Sequence, residues 1–108
     1  MTHITYFEQS EEISIEVQGH SGYAEFGKDI VCSAISVLIQ TLIYYLEDNA
    51  DYCDNTIQSG YVFCYAKGGD TRASFDTILT GLRLIEEQYP DYIKLEKGCT
   101  LMLYPSLI

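Results

Sequence analysis

Basic side chains are scarce in this 108-residue chain: six lysines and arginines stand against sixteen aspartates and glutamates, a net charge of −10. Binding to nucleic acid through release of phosphate counterions is disfavoured by that balance. A basic protein or peptide is the favoured partner, because an acidic field speeds its encounter. Proline is also rare, with two residues, and the hydrophobic share of 47% excludes a disordered chain. No Cys-x-x-Cys pair occurs among Cys32, Cys53, Cys64 and Cys99, and His3 and His20 lack the spacing of zinc ligands. No metal and no cofactor is expected. The sequence shows neither the basic flank nor the small-residue cleavage site of a signal peptide. The apolar run at residues 30–46 is interrupted by Ser33, Ser36, Gln40 and Thr41, which argues against a membrane span. The expectation is one domain over residues 1–108, cytoplasmic, with thiols in place of disulfides.

Residues Thr2 to Glu8 and Glu11 to Gly19 read as two strands joined at Gln9-Ser10. In the second, Ile13, Ile15 and Val17 alternate with Ser14, Glu16 and Gln18, the period of a sheet with one buried face. A first helix is expected from Ile30 to Asp48. Its polar stripe is narrow (Ser33, Ser36, Gln40, Glu47, with Tyr44 in line), so it must be covered on more than one side, by the sheet and by a second helix or subunit. Thr56 to Ala66 reads as a third strand, with Tyr61, Phe63 and Tyr65 on one face and Val62, Cys64 and Ala66 on the other, which places it centrally. Phe75, Ile78, Leu79, Leu82 and Ile85 recur at helical spacing after a cap at Asp70 or Thr71, and that helix ends before Pro90. Tyr92 to Glu96 and, past Gly98, Cys99 to Tyr104 complete the pattern as one interrupted or two short strands. The fold class expected is α+β: a two-layer sandwich, mainly an antiparallel sheet with both helices on one face.

The chemistry concentrates where the first helix begins. Asp29 is a good N-cap, contributing about 1 kcal/mol to the helix, and Cys32 then lies in the first turn, at the positive end of the macrodipole. A thiol there ionises more readily, and an imidazole nearby strengthens the effect. His20, twelve residues earlier, is the nearest base. Strand alternation would carry it to the polar face with Ser14, Glu16 and Gln18, unless Gly19 ends the strand and turns the chain. Between the two residues runs a loop with glycines at 19, 22 and 27, expected to be mobile. Within it, Gly22, Tyr23, Phe26 and Gly27 form a candidate substrate-binding segment, although the two aromatics could equally pack on their own loop. Ser36 most simply bonds back to the Cys32 carbonyl, and a contact to substrate is the sharper alternative. Cys53, Cys64 and Cys99 read as packing thiols.

The run Gly19-His20, then Gly27-Lys28-Asp29-Ile30-Val31-Cys32-Ser33-Ala34-Ile35-Ser36-Val37-Leu38, resembles the ribosomal-processing cysteine protease (Prp) family. A Gly-His pair, a glycine-containing loop, an Asp-Ile-Val-Cys step into a helix and a serine one turn later make a more specific pattern than a lone His and Cys. Ser21 and Ser33 stand where alanine is common in that family. The resemblance implies a cysteine endopeptidase that removes the N-terminal extension of a large-subunit ribosomal protein, number twenty-seven. It implies Cys32 as nucleophile, His20 as base, Asp29 and Ser36 as supporting residues, and a homodimer with a flexible loop over the site. Two alternatives use the same sequence differently. One is a non-catalytic acidic binding or assembly factor for a basic ribosomal protein; the other is a thioesterase-like enzyme acting on a small acyl thioester.

Overall fold

The computed structural model describes residues 1–25 and 27–98. Its elements run β1 (Thr2–Gln9), β2 (Glu12–Gln18), α1 (Ile30–Asn49), β3 (Tyr52–Gln58), β4 (Tyr61–Lys67), α2 (Thr71–Gln88) and β5 (Ile93–Lys97). The strands form one sheet in the order β3-β4-β2-β1-β5, antiparallel throughout except for β5, which pairs parallel to β1. The α+β sandwich expected from the sequence is the fold found. The run at Cys99–Tyr104, read above as a strand, lies outside the described residues.

Alternation in β2 places Ile13, Ile15 and Val17 on the helix side, where they meet Ile4 and Tyr6 of β1, Cys64 and Ala66 of β4, and Ile93 of β5. Both helices close this face. From α1 come Val31, Ile35, Ile39, Leu42, Ile43 and Leu46, spaced at three and four residues, and from α2 Phe75, Ile78, Leu79 and Leu82. Gly81 lets the helices approach, since a Cβ there would lie 3.0 Å from the Leu38 side chain. α2 is thus one of the covers that the narrow polar stripe of α1 required. By length and composition α1 could cross a membrane (mean hydropathy 1.7), yet its most apolar stripe is the core of this domain. Its opposite side leaves Ile30, Val37 and Tyr44 exposed.

The single strand expected at Thr56–Ala66 is corrected to a hairpin. β3 and β4 pair from Tyr52↔Lys67 to Gln58↔Tyr61, leaving Ser59-Gly60 as a two-residue turn. Gly60 takes φ +74°, a left-handed conformation that glycine adopts at no steric cost. β4 is interior, as its two apolar faces imply, and β3 forms the edge.

Candidate active site

Gly19 ends the alternation of β2. It stands at φ +87°, its N–H donates to the Gly60 carbonyl at 2.8 Å, and a Cβ there would come within 2.8 Å of the Met1 carbonyl oxygen. Only glycine fits such a step without displacing its neighbours. The consequence is positional: His20 leaves the polar face of the sheet and lines two clefts that Cys32 also lines.

Asp29 organises the other half of the site. Its backbone is extended, its Oδ1 accepts the Cys32 N–H at 2.9 Å and its carbonyl accepts the Ser33 N–H at 3.0 Å, so it caps α1 as expected. Oδ2 faces the loop and accepts from Ser21 Oγ (2.5 Å), the Tyr23 N–H (3.1 Å) and the Ala24 N–H (3.3 Å). One carboxylate therefore fixes both the helix start and the loop that leads to it. Burial pushes this carboxyl up, but the bonds from the Ser21 hydroxyl and from the Cys32, Ala24 and Tyr23 backbone outweigh burial and hold it down at about 2.

The first-turn N–H groups of Cys32 and Ser33 are both taken by Asp29, so neither is free for a substrate oxyanion. Ser36 was expected to bond to the Cys32 carbonyl; its hydroxyl instead accepts from Gln40 Nε2 at 2.7 Å. Ser36 nevertheless lines both clefts beside His20 and Cys32. Among the described residues, the hydrogen bonds at Cys32 Sγ are to Ser21, whose N–H donates to the sulfur at 3.2 Å and whose Oγ accepts from it at 3.4 Å. Sequence reasoning passed over Ser21, because its residue type carries no signal and only the folded loop brings it to the sulfur.

The two clefts meet at His20, Cys32 and Ser36. The first, about 480 Å³, runs between α1 and the β3–β4 turn and is lined by Ile35, Ile39, Ile43, Ile57 and Val62. The second, about 650 Å³, lies under the loop against Gly22, Ala24, Gly27 and Val37. Tyr23 stands edge-on against Tyr89 at 5.5 Å and Tyr92 at 5.2 Å, so its ring ties the loop to the end of α2 and the start of β5. Phe26 lies outside the described residues. An extended polymer crossing both clefts would pass the sulfur, which suits cleavage within a chain.

Gly60 is a second residue that sequence reasoning missed, although Ser-Gly between alternating apolar runs is a hairpin signal. A Cβ at Gly60 would lie 3.2 Å from His20 Nε2. Gly60→Ala is expected to lower kcat/KM on the order of ten- to a hundredfold by displacing the imidazole, with about 1 kcal/mol lost from stability. Steady-state kinetics beside a thermal melt will check this.

Two other thiols form a pair. Cys53 and Cys64 lie diagonally across the β3–β4 ladder, and the hydrogen bond from Cys64 draws the Cys53 thiol down to about 7 against the opposing effect of burial. The same bond, with burial, pushes Cys64 up. Cys64 belongs to the core and Cys53 packs against it, the packing role read from the sequence.

Among curated proteins none matches. Among solved structures, the essential ribosomal processing protease Prp from Staphylococcus aureus, in complex with a covalently linked product peptide, shares the fold with a TM-score of 0.82 at 21% identity, over 91% of this chain and 100% of that one. The same protease with a substrate peptide gives 0.73 at 19%, with the same coverage. A protein from Streptococcus mutans gives 0.67 at 24%, over 90% of this chain and 93% of its own. The family model for cysteine protease Prp matches residues 1–94, and the chain belongs to that family of cysteine proteases.

Proposed function

We propose that this protease removes the N-terminal extension of a basic large-subunit ribosomal protein, number twenty-seven, with Cys32 as nucleophile and His20 as base. The observation that carries the assignment is the meeting of two clefts at His20 and Cys32, at the start of a helix, in a chain of a cysteine protease family. The Staphylococcus aureus protein of the same fold is described as a ribosomal processing protease, which supports the substrate class. So does the net charge of −10, since ribosomal proteins are basic.

In the proposed reaction His20 takes the Cys32 proton, and the sulfur attacks the scissile carbonyl. Protonated His20 then gives that proton to the leaving amine. Water, deprotonated by His20, hydrolyses the thioester and restores the thiol. The backbone donor aimed at the reacting sulfur is the Ser21 N–H, and it is the candidate to hold the oxyanion in place of the capped Cys32 N–H. The apolar cleft along Ile35, Ile39 and Ile43 would seat an apolar side chain on one side of the cut. The setting proposed is the cytoplasm, and the assembly a homodimer. Ile30, Val37 and Tyr44, each seven residues from the next on the exposed side of α1, support the latter.

Incubating the protein with the extended ribosomal protein and weighing the products will test the reading. One new N-terminus and one short released peptide are expected. An intact substrate would remove the substrate assignment, and sedimentation at 12.2 kDa instead of twice that mass would remove the dimer.

A further inference from the structure

We propose that the Ser21 hydroxyl is a positioning residue that keeps the resting Cys32 thiol protonated. It rests on Cys32 being the nucleophile. Ser21 is 2% exposed, and its oxygen sits between the Asp29 carboxylate at 2.5 Å and Cys32 Sγ at 3.4 Å. A hydroxyl has one proton to give. Asp29 remains ionised down to about pH 2, with three backbone or hydroxyl donors on its Oδ2, and at the shorter distance it takes that proton. The Tyr23 N–H also donates to Ser21 Oγ, at 3.3 Å. Ser21 Oγ therefore turns a lone pair toward the sulfur. A thiol can donate to that lone pair; a thiolate meets it as a repulsion.

Other groups act against it. The Ser21 N–H, the N-terminus of α1 and a protonated His20 all favour thiolate. No acidic or basic residue lies in the first turn of α1. From the β3–β4 turn the titratable group at the cleft is Tyr61, which burial and its bond to Glu16 push up to about 12, so it stays neutral. On the loop, Glu25 and Lys28 neutralise each other at 3.1 Å in solvent. Among the described residues, two groups are set against ionisation: the Ser21 oxygen at the sulfur itself and, behind it, the negative Asp29 carboxylate that holds the hydroxyl in that orientation. When His20 removes the thiol proton, the hydroxyl must rotate its own proton from Asp29 to the sulfur, and Asp29 gives up one of its bonds. The resting nucleophile is thus held back by a single rotor.

The test is the pH profile of Cys32 alkylation by iodoacetamide, followed by peptide mapping so that Cys53 is scored separately. In Ser21→Ala the midpoint is expected to fall by about half a pH unit or more. Ser21→Thr, which keeps the hydroxyl, should retain the wild-type midpoint. If the threonine variant does not fold, the alanine variant decides alone, its fold checked by near-ultraviolet circular dichroism. An unchanged midpoint with lowered stability would make Ser21 merely structural, and a raised midpoint would make its hydroxyl a thiolate donor; either overturns the proposal. The acid limb of peptide cleavage should move with the alkylation midpoint. If alkylation shifts and cleavage does not, the proton lock stands and the assignment of Cys32 as nucleophile falls.

Discussion

Replacing Cys32 with alanine is expected to lower peptide cleavage about 10⁴-fold or more while the fold persists. The sulfur is half-buried and its partners are the N–H and hydroxyl of Ser21, so its loss empties little core. Stability should stay within about 1 kcal/mol of wild type. A single-turnover experiment should show the acyl-enzyme burst in wild type and none in the variant. Full cleavage by Cys32→Ala would leave the peptidase without its nucleophile. Retained binding of a basic ribosomal protein, with no cleavage by either form, would favour the non-catalytic assembly factor.

The largest stability effect is expected at Asp29. Asp29→Ala removes the acceptor for Ser21 Oγ and for the N–H groups of Tyr23, Ala24 and Cys32 in one step. Loss of a cap together with backbone donors left inside a 6%-exposed site should cost about 2–4 kcal/mol, or about 10 °C or more in Tm. Activity should fall with it, because the loop that carries Ser21 loses its tether. The pH dependence has a definite sign. With the carboxyl at about 2 in the folded chain against 3.8 unfolded, its contribution is complete above pH about 4 and is lost as pH falls toward 2. Melts of wild type and Asp29→Asn should therefore differ most above pH 4 and converge below it. A constant gap across that window would show that charge at Asp29 has no part in holding the loop.

The features legible in the sequence were those with strong local signals. Alternation at Ile13, Ile15 and Val17 gave β2, and the spacing of Phe75 to Ile85 gave α2. Asp29 before an apolar run gave both the start of α1 and the place of Cys32. β3 was read only in part: Thr56 to Gln58 were merged with the next strand, and Tyr52 to Asn55 were passed over because Asp54 and Asn55 are poor strand formers and the segment has no clean alternation. Its pairing with β4 supplies what its residues do not, since an edge strand needs a partner on one side only. Gly60 lost its meaning once the turn was absorbed into a single strand. The partner of Ser36 was misread for another reason. One turn separates Ser36 from the Cys32 carbonyl on one side and from Gln40 on the other, and local sequence does not rank them. Ser21 became visible only when Asp29 folded the loop back over the helix start.

The parallel ladder between β1 and β5 has a kinetic consequence. It joins Thr2 to Ile93 and Tyr6 to Lys97, nearly the full described length apart, whereas the two hairpins close over a few residues. Long closure costs chain entropy before any contact repays it, so β5 should dock after the hairpins have formed and be among the first strands to leave. Tyr23 rests on Tyr89 and Tyr92, at the threshold of that strand. The loop that carries Ser21 is thus moored to the strand expected to dock last, and amide exchange at Ile93 to Lys97 should rise and fall with exchange at Gly22 to Ala24.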